Sequence, residues 1–206
     1  MNLRLNNIYP LIVPADYYAK GVWDLPHYKL PNTSFILTWV VFSSGASMQY
    51  LKQDEYQQLM TNDNGWQQIS FENLRKSIAD HENFFAQYQL SDDKKRLVLI
   101  AFMNKDGIGS SRILLSSELQ VAFPNGYYLA FPDRSCGLII AKDISNSEQH
   151  KVKDLIKSMY KTATTPMSNQ LHIPADLAVP DAWIQPIDVD FSKILINEIL
   201  KVKADL

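Results

Sequence analysis

The amino-acid sequence predicts an α+β fold, a single domain over residues 1–206 with a mainly antiparallel sheet and helices packed on it. Three observations carry this expectation. Strand-like and helix-like segments mix along the chain without the strict βαβ alternation of a parallel sheet. The apolar runs 127–131 and 137–141 are joined by Pro132-Asp133-Arg134-Ser135, a good turn sequence that makes them the clearest hairpin in the chain. And 206 residues, 46% of them hydrophobic and 20% charged, suffice for one sizeable core.

Residues 1–34 hold Pro10, Pro14, Pro26 and Pro31, which fix φ and remove donors, so long helices are not expected there. The same stretch carries Tyr9, Tyr17, Tyr18, Trp23 and Tyr28 and is expected to pack on the body. Residues 34–42 are dense in β-branched and aromatic side chains and read as a strand. Ser43-Ser44-Gly45 is a turn, and residues 47–51 can pair back as a hairpin. Asp54 is placed to cap a helix running to about Met60, which Asn62-Asp63-Asn64-Gly65 breaks.

Ser70 then precedes a helix that holds Phe71, Leu74, Arg75 and Ile78 on one face and reaches Phe84-Phe85. Residues 97–103 form a strand with few polar interruptions, as expected when both faces are covered. Ser110 is read as the cap of a helix from Ser111 to about Val121. After the hairpin, Ser145 or Ser147 starts a helix with Val152, Leu155, Ile156 and Met159 as its apolar stripe, ending over 162–166. Pro174, Pro180 and Pro186 interrupt the next stretch. A last helix is expected over 191–202, with Lys201 and Lys203 at the negative end of its macrodipole.

Net charge is −2, so no basic excess exists to neutralise phosphates, and nucleic acid is not an expected partner. A single cysteine, Cys136, rules out an intrachain disulfide framework. The N-terminus lacks the basic start and apolar core of a signal peptide, and the longest apolar segment, 35–42, is too short to span a bilayer. The expected location is the cytoplasm, with no membrane partner.

The segment Lys105-Asp106-Gly107-Ile108-Gly109-Ser110-Ser111-Arg112 follows a strand and opens a helix, where backbone N–H groups, glycines and an arginine can bind an anion. It lacks the Gly-Lys-Ser/Thr ending of a phosphate loop and a third glycine, so a simple turn with a serine cap is the favoured reading. Asp133 and Arg134 lie at the hairpin tip. Arg112 and Arg134 can reach carboxylates of a partner or ligand, or Arg112 can form a buried pair with Asp106 or Asp133 that fixes the helix on the sheet, the favoured reading. The candidate ligand- or partner-binding set is therefore Asp106, Gly107, Gly109, Ser110, Ser111, Arg112, Asp133 and Arg134.

Catalytic groups do not assemble from the sequence. Cys136, with His150 or His172 as base, sits at the entrance to an apolar strand and reads as a small hydrophobe. No two histidines stand at metal-ligand spacing, and Asp80-His81-Glu82 reads as a solvated helix end. Glu72, Glu82 and Glu118 give no reason to converge. No catalytic residue, metal or cofactor is expected. Trp39, Trp66, Trp183 and the tyrosines are numerous enough to build a protein-binding surface.

The order of motifs resembles the YtpQ-like bacterial proteins, a family of unknown function. The resemblance runs through Asn73-Leu74-Arg75, Asn104-Lys105-Asp106-Gly107, Ser111-Arg112-Ile113-Leu114, the turn Phe131-Pro132-Asp133-Arg134 and Pro166-Met167-Ser168, covering residues 66–171, with Ile8-Tyr9-Pro10 similar more weakly. Ser135 stands where the family's turn usually carries an Asp. The resemblance implies shared architecture more than an activity.

Compact size, mild acidity and many aromatics without catalytic groups together suggest a non-enzymatic protein-binding module. Its most concrete form is an immunity protein or inhibitor that neutralises a cognate bacterial toxin. The alternative is a small anionic-ligand binder, or an enzyme, using the turn from Gly107 to Arg112.

Overall fold

The computed structural model describes residues 5–19, 25–42, 47–62, 65–79, 86–104 and 106–187. The turn expected at 43–45, the helix continuation to Phe84-Phe85, the Asp80-His81-Glu82 stretch and the helix expected over 191–202 lie outside these residues.

The fold is α+β, with two antiparallel sheets among the described residues. In the first, β3 (Phe35–Phe42) is central. The strand β1 (Ile8–Pro14) pairs with it from Ile8 opposite Val41 to Pro14 opposite Phe35. On the other side of β3 lie β2 (Tyr28–Lys29) and β4 (Met48–Tyr50) at opposite ends. The second sheet runs β5–β6–β8–β7, with β5 at Ala86–Leu90, β6 at Leu97–Met103, β7 at Tyr127–Asp133 and β8 at Cys136–Ala141. The sequence reading placed no strand over β1 or β5. Pro10 and Pro14 lie within β1 because it is an edge strand, where a missing N–H leaves no ladder bond unmade. The prolines therefore argue against helix there without arguing against strand.

The helices are α1 (Asp16–Ala19), α2 (Gln53–Asn62), α3 (Trp66–Ala79), α4 (Asn146–Thr162) and α5 (Asp181–Ile184). Several expected boundaries shift. Asp54 falls inside the first turn of α2, and Glu55 instead accepts from the Lys52 N–H at 2.9 Å. The helix α3 begins four residues before Ser70, whose hydroxyl donates to the Gln67 carbonyl at 2.6 Å from inside the helix. Ser145 is the cap of α4, in a full capping box with Glu148. Val152 and Ile156 are buried as expected, but Leu155 is 38% exposed.

The largest correction concerns residues 109–122. They form 3-10 turns throughout Gly109–Ala122, and Ser110 is no cap: its Oγ is buried without a hydrogen-bond partner. Such runs are usually short. Here Gly109, Ser110, Ser111, Ser116 and Ser117 favour an α-helix interior poorly, which weakens the competing conformation.

One apolar core runs between the two sheets and takes in α3 and the 3-10 segment. The second sheet is covered on both faces. Leu97, Ile100, Phe102 and Ile139 face the main core, while Val98, Ala101, Leu138 and Ile140 face Val152 and Ile156 of α4. That double burial is why β6 and β8 read as unbroken apolar runs. Tryptophans seal the main core: Trp39 lies 4.9 Å from Trp66 and 5.7 Å from Trp183, ring centroid to centroid.

Candidate functional site

The turn after β6 and the β7–β8 hairpin tip are brought into contact, as their shared candidacy requires. The N–H of Ser110 donates to the Arg134 carbonyl at 3.0 Å. A β-carbon on Gly109 would lie 2.0 Å from the Ser135 carbonyl oxygen, so only glycine allows this approach. The hydroxyl of Ser111 accepts the Ile12 N–H at 3.1 Å and ties the turn to the edge strand of the other sheet.

These contacts occupy several of the groups that could have held an anion. Ser110 N–H is taken by Arg134, Ser111 N–H by the Ile108 carbonyl at 3.0 Å, and Ile108 N–H by Asp106 Oδ1 at 3.1 Å. Gly109, Ser110, Ser111 and Arg112 are all buried. Arg112, with its side chain 1% exposed, pairs with Asp106: Nη2 to Oδ2 is 2.6 Å and Nη1 to Oδ1 is 3.3 Å. Nη2 also donates to Ser77 Oγ on α3 at 3.0 Å. Asp106 is thus the carboxylate that engages Arg112. Asp133 serves its own turn, accepting the Ser135 N–H at 2.7 Å, the Ser135 hydroxyl and the Thr165 N–H at 3.1 Å. Burial acts to raise the Asp133 pKa, but these bonds and the Arg134 charge outweigh it and hold it below the ordinary carboxylate value.

Arg134 is different. Its backbone is bonded on both sides, yet among the described residues no carboxylate pairs with its guanidinium. The side chain is half-buried, and its Nε is fully enclosed without a hydrogen-bond partner. It reaches over Gly107, where a β-carbon would lie 4.0 Å from Nη2 and 3.6 Å from Met48 Sδ. Gly107 holds φ at +79°, a conformation that a side chain would strain. The buried Tyr50 hydroxyl belongs to the same group, with Tyr17 and the Arg134 guanidinium as its polar neighbours. Burial and the neighbouring Tyr17 push its pKa up, while Arg134 pulls it down. The Tyr17 and Tyr50 rings are 6.1 Å apart. The site is a cation without a carboxylate partner among the described residues, two tyrosines and a glycine that leaves room. Tyr17, Met48 and Tyr50 were not among the sequence candidates, since they come from the other sheet and its flank.

The residues weighed for nucleophilic catalysis do not meet. Cys136 is buried, and burial with the nearby Asp133 pushes its thiol pKa up to about 12. His150 lies on α4 with Nδ1 2.6 Å from the Asn146 carbonyl. His172 stacks on Phe131, has Nε2 3.3 Å from Ser168 Oγ, and is driven toward its neutral form by burial.

A second charged cluster overturns the expectation that the glutamates do not converge. Glu72 and Glu118 both bind Arg75, with Nη1 to Glu72 Oε2 at 3.1 Å and Nε to Glu118 Oε1 at 2.7 Å. Nη2 of Arg75 donates to the Ile184 carbonyl, and Glu72 accepts the Ile187 N–H at 3.3 Å. The signal was present in the sequence. Arg75 falls in phase with Phe71, Leu74 and Ile78, and a charge on a buried face demands a buried counter-charge.

Among the described residues, no group of three or more His, Cys, Asp and Glu side chains could hold a metal ion, and no helix is long and apolar enough to cross a membrane. Compared with known proteins, the chain matches no family model, no curated protein and no solved structure.

Proposed function

We propose that this protein is a non-enzymatic binding module whose ligand or partner presents a carboxylate or phosphate to Arg134. The observation that carries the reading is the Arg134 guanidinium, which meets no carboxylate among the described residues and keeps an enclosed Nε donor without a partner, with the Tyr50 hydroxyl beside it. A buried donor left unmade is costly, and an anion that satisfies it gains a charge-assisted, planar hydrogen bond. Arg134 is taken as the recognising element in preference to the Gly107 to Arg112 backbone, whose Ile108, Ser110 and Ser111 N–H groups are already bonded internally. In the macromolecular form of this reading, the anion is an acidic side chain of a protein partner, and the module is an inhibitor or immunity protein covering a cognate toxin. Trp39 and Trp66 are buried and Trp183 is half-buried against the core, so such recognition rests mainly on charge and tyrosine.

The test compares the wild type with Arg134→Gln. Thermal-shift titrations with phosphate, nucleotides and small carboxylates should show saturable stabilisation of the wild type only, because a ligand that binds the folded state alone raises its stability. If none shifts at millimolar concentration, the small-anion form fails. Affinity capture from the native host then decides the protein form. A stoichiometric partner held by the wild type and lost by Arg134→Gln supports it. Equal retention by both, or no partner, refutes it.

A further inference from the structure

A cavity of about 140 Å³ opens between α4 and the β7–β8 hairpin, away from the residues around Arg134. Ile140 and Val152, 1% and 2% exposed, are fully buried lining residues, joined by Tyr128, Ile144 and Leu171. Leu171 is 37% exposed, a large apolar side chain left partly in water where the cavity meets solvent. The polar part of the lining is Gln149 and two cations, Lys142 and Lys153.

Lys142 is held at that edge by two contacts. Its ammonium sits 5.1 Å from the centre of the Tyr128 ring, a cation–π distance. Its stem lies along Gly126, where a β-carbon would approach Cδ to 3.2 Å. Neither Lys142 nor Lys153 pairs with a carboxylate among the described residues. Asp143, next in the chain, instead accepts from Asn125 Nδ2 at 2.8 Å. An apolar hollow with two unpaired ammonium groups at its edge is complementary to a molecule that is apolar at one end and negative at the other. The volume limits the apolar end, since a dry cavity of roughly 150 Å³ accommodates benzene.

We propose that this cavity binds a compact apolar carboxylate, one aromatic ring or a short branched chain bearing a single carboxylate, with its body against Ile140 and Val152 and its charge at Lys142 and Lys153. The site is independent of Arg134 and stands whether or not Arg134 takes an anion.

Benzoate, benzyl alcohol and acetate separate the two halves of the site in an NMR titration of the ¹⁵N-labelled protein. Benzoate is expected to give saturable amide shifts centred on Tyr128, Ile140, Lys142, Val152 and Leu171. Benzyl alcohol keeps the ring without the charge, and acetate keeps the charge without the ring. Each should bind about tenfold more weakly or worse, the loss expected for one charge-assisted contact or for most of the apolar area. Lys142→Met with Lys153→Met should reduce benzoate to the level of benzyl alcohol while the spectrum stays dispersed. Val152→Phe, which fills the hollow, should abolish binding, and the lysine variants keep the test decisive if that protein does not fold. Arg134→Gln should leave benzoate binding unchanged. Absence of saturable shifts, equal affinity for benzyl alcohol, or loss of binding in Arg134→Gln would each overturn the proposal.

Discussion

Replacing Arg75 by methionine removes one cation from between two buried carboxylates. The side chains of Arg75, Glu72 and Glu118 are 2%, 3% and 14% exposed, so solvent screens little of the change. Three acceptors lose a donor at once: Glu118 Oε1, Glu72 Oε2 and the Ile184 carbonyl. Each carboxylate already has one enclosed oxygen without a partner, Glu72 Oε1 and Glu118 Oε2, and Glu72 keeps only the long bond from the Ile187 N–H at 3.3 Å. Breaking a buried pair from one side costs about 3–5 kcal/mol. Protonation of one glutamate limits the loss, so the expected destabilisation at pH 7 stays within about 3–5 kcal/mol rather than doubling for two pairs. Urea unfolding followed by tryptophan fluorescence measures it, because Trp39, Trp66 and Trp183 share one cluster. The midpoint should fall with the slope unchanged. Adding Glu72→Gln and Glu118→Gln to the variant should restore a large part of the loss, since the orphaned charges go with it. A loss under about 1 kcal/mol, the range of exposed pairs, would refute the claim that this cluster is dry and structural.

Two further outcomes follow from the same geometry. Burial, reinforced by Glu72 and only partly offset by Arg75, raises the Glu118 pKa. The folded state therefore keeps this proton at pH values where the unfolded chain has lost it. Stability from this group is complete below the ordinary carboxylate value and declines as pH rises through the raised one. Glu118→Gln should lose that slope, so the wild type gives ground to it as pH rises, and parallel stability profiles would contradict the assignment. Gly109→Ala drives a methyl group to 2.0 Å from a backbone oxygen that cannot swing aside. It should cost about 3 kcal/mol or more by denaturant unfolding, at the upper end of overpacking, and a neutral result would mean that the turn does not press on the hairpin as described.

Much of the architecture was legible because it rests on apolar pattern. The strands β3, β6, β7 and β8 and the helix α4 lie within a few residues of where periodicity placed them. What was missed has identifiable causes. The strand β1 was hidden by prolines that an edge position tolerates. The start of α3 was hidden because Ser70, a good cap type, bonds back to Gln67 from inside the helix. The site was half legible. The Arg112 pair with Asp106 could be named from spacing within one segment. The surroundings of Arg134 could not, since Tyr17, Met48 and Tyr50 lie far back in the chain and reach it only when the two sheets pack together.

The segment 109–122 shows how one wrong period hides a function of residues. With 3.6 residues per turn, Arg112 and Glu118 point about 120° apart and have nothing in common. With three residues per turn they lie in one row, two turns apart. Both then reach the same helix: Arg112 bonds Ser77 and Glu118 bonds Arg75, each on α3. The neighbouring row, Ser110, Ile113, Ser116, Leu119 and Ala122, is buried at every position, a strict three-residue repeat. Two opposite charges, two turns apart within one segment, thus clamp α3 from two points, and both are spent on holding the fold. Arg134, fixed to the start of that segment through its carbonyl, meets no carboxylate among the described residues and so takes no part in that clamp.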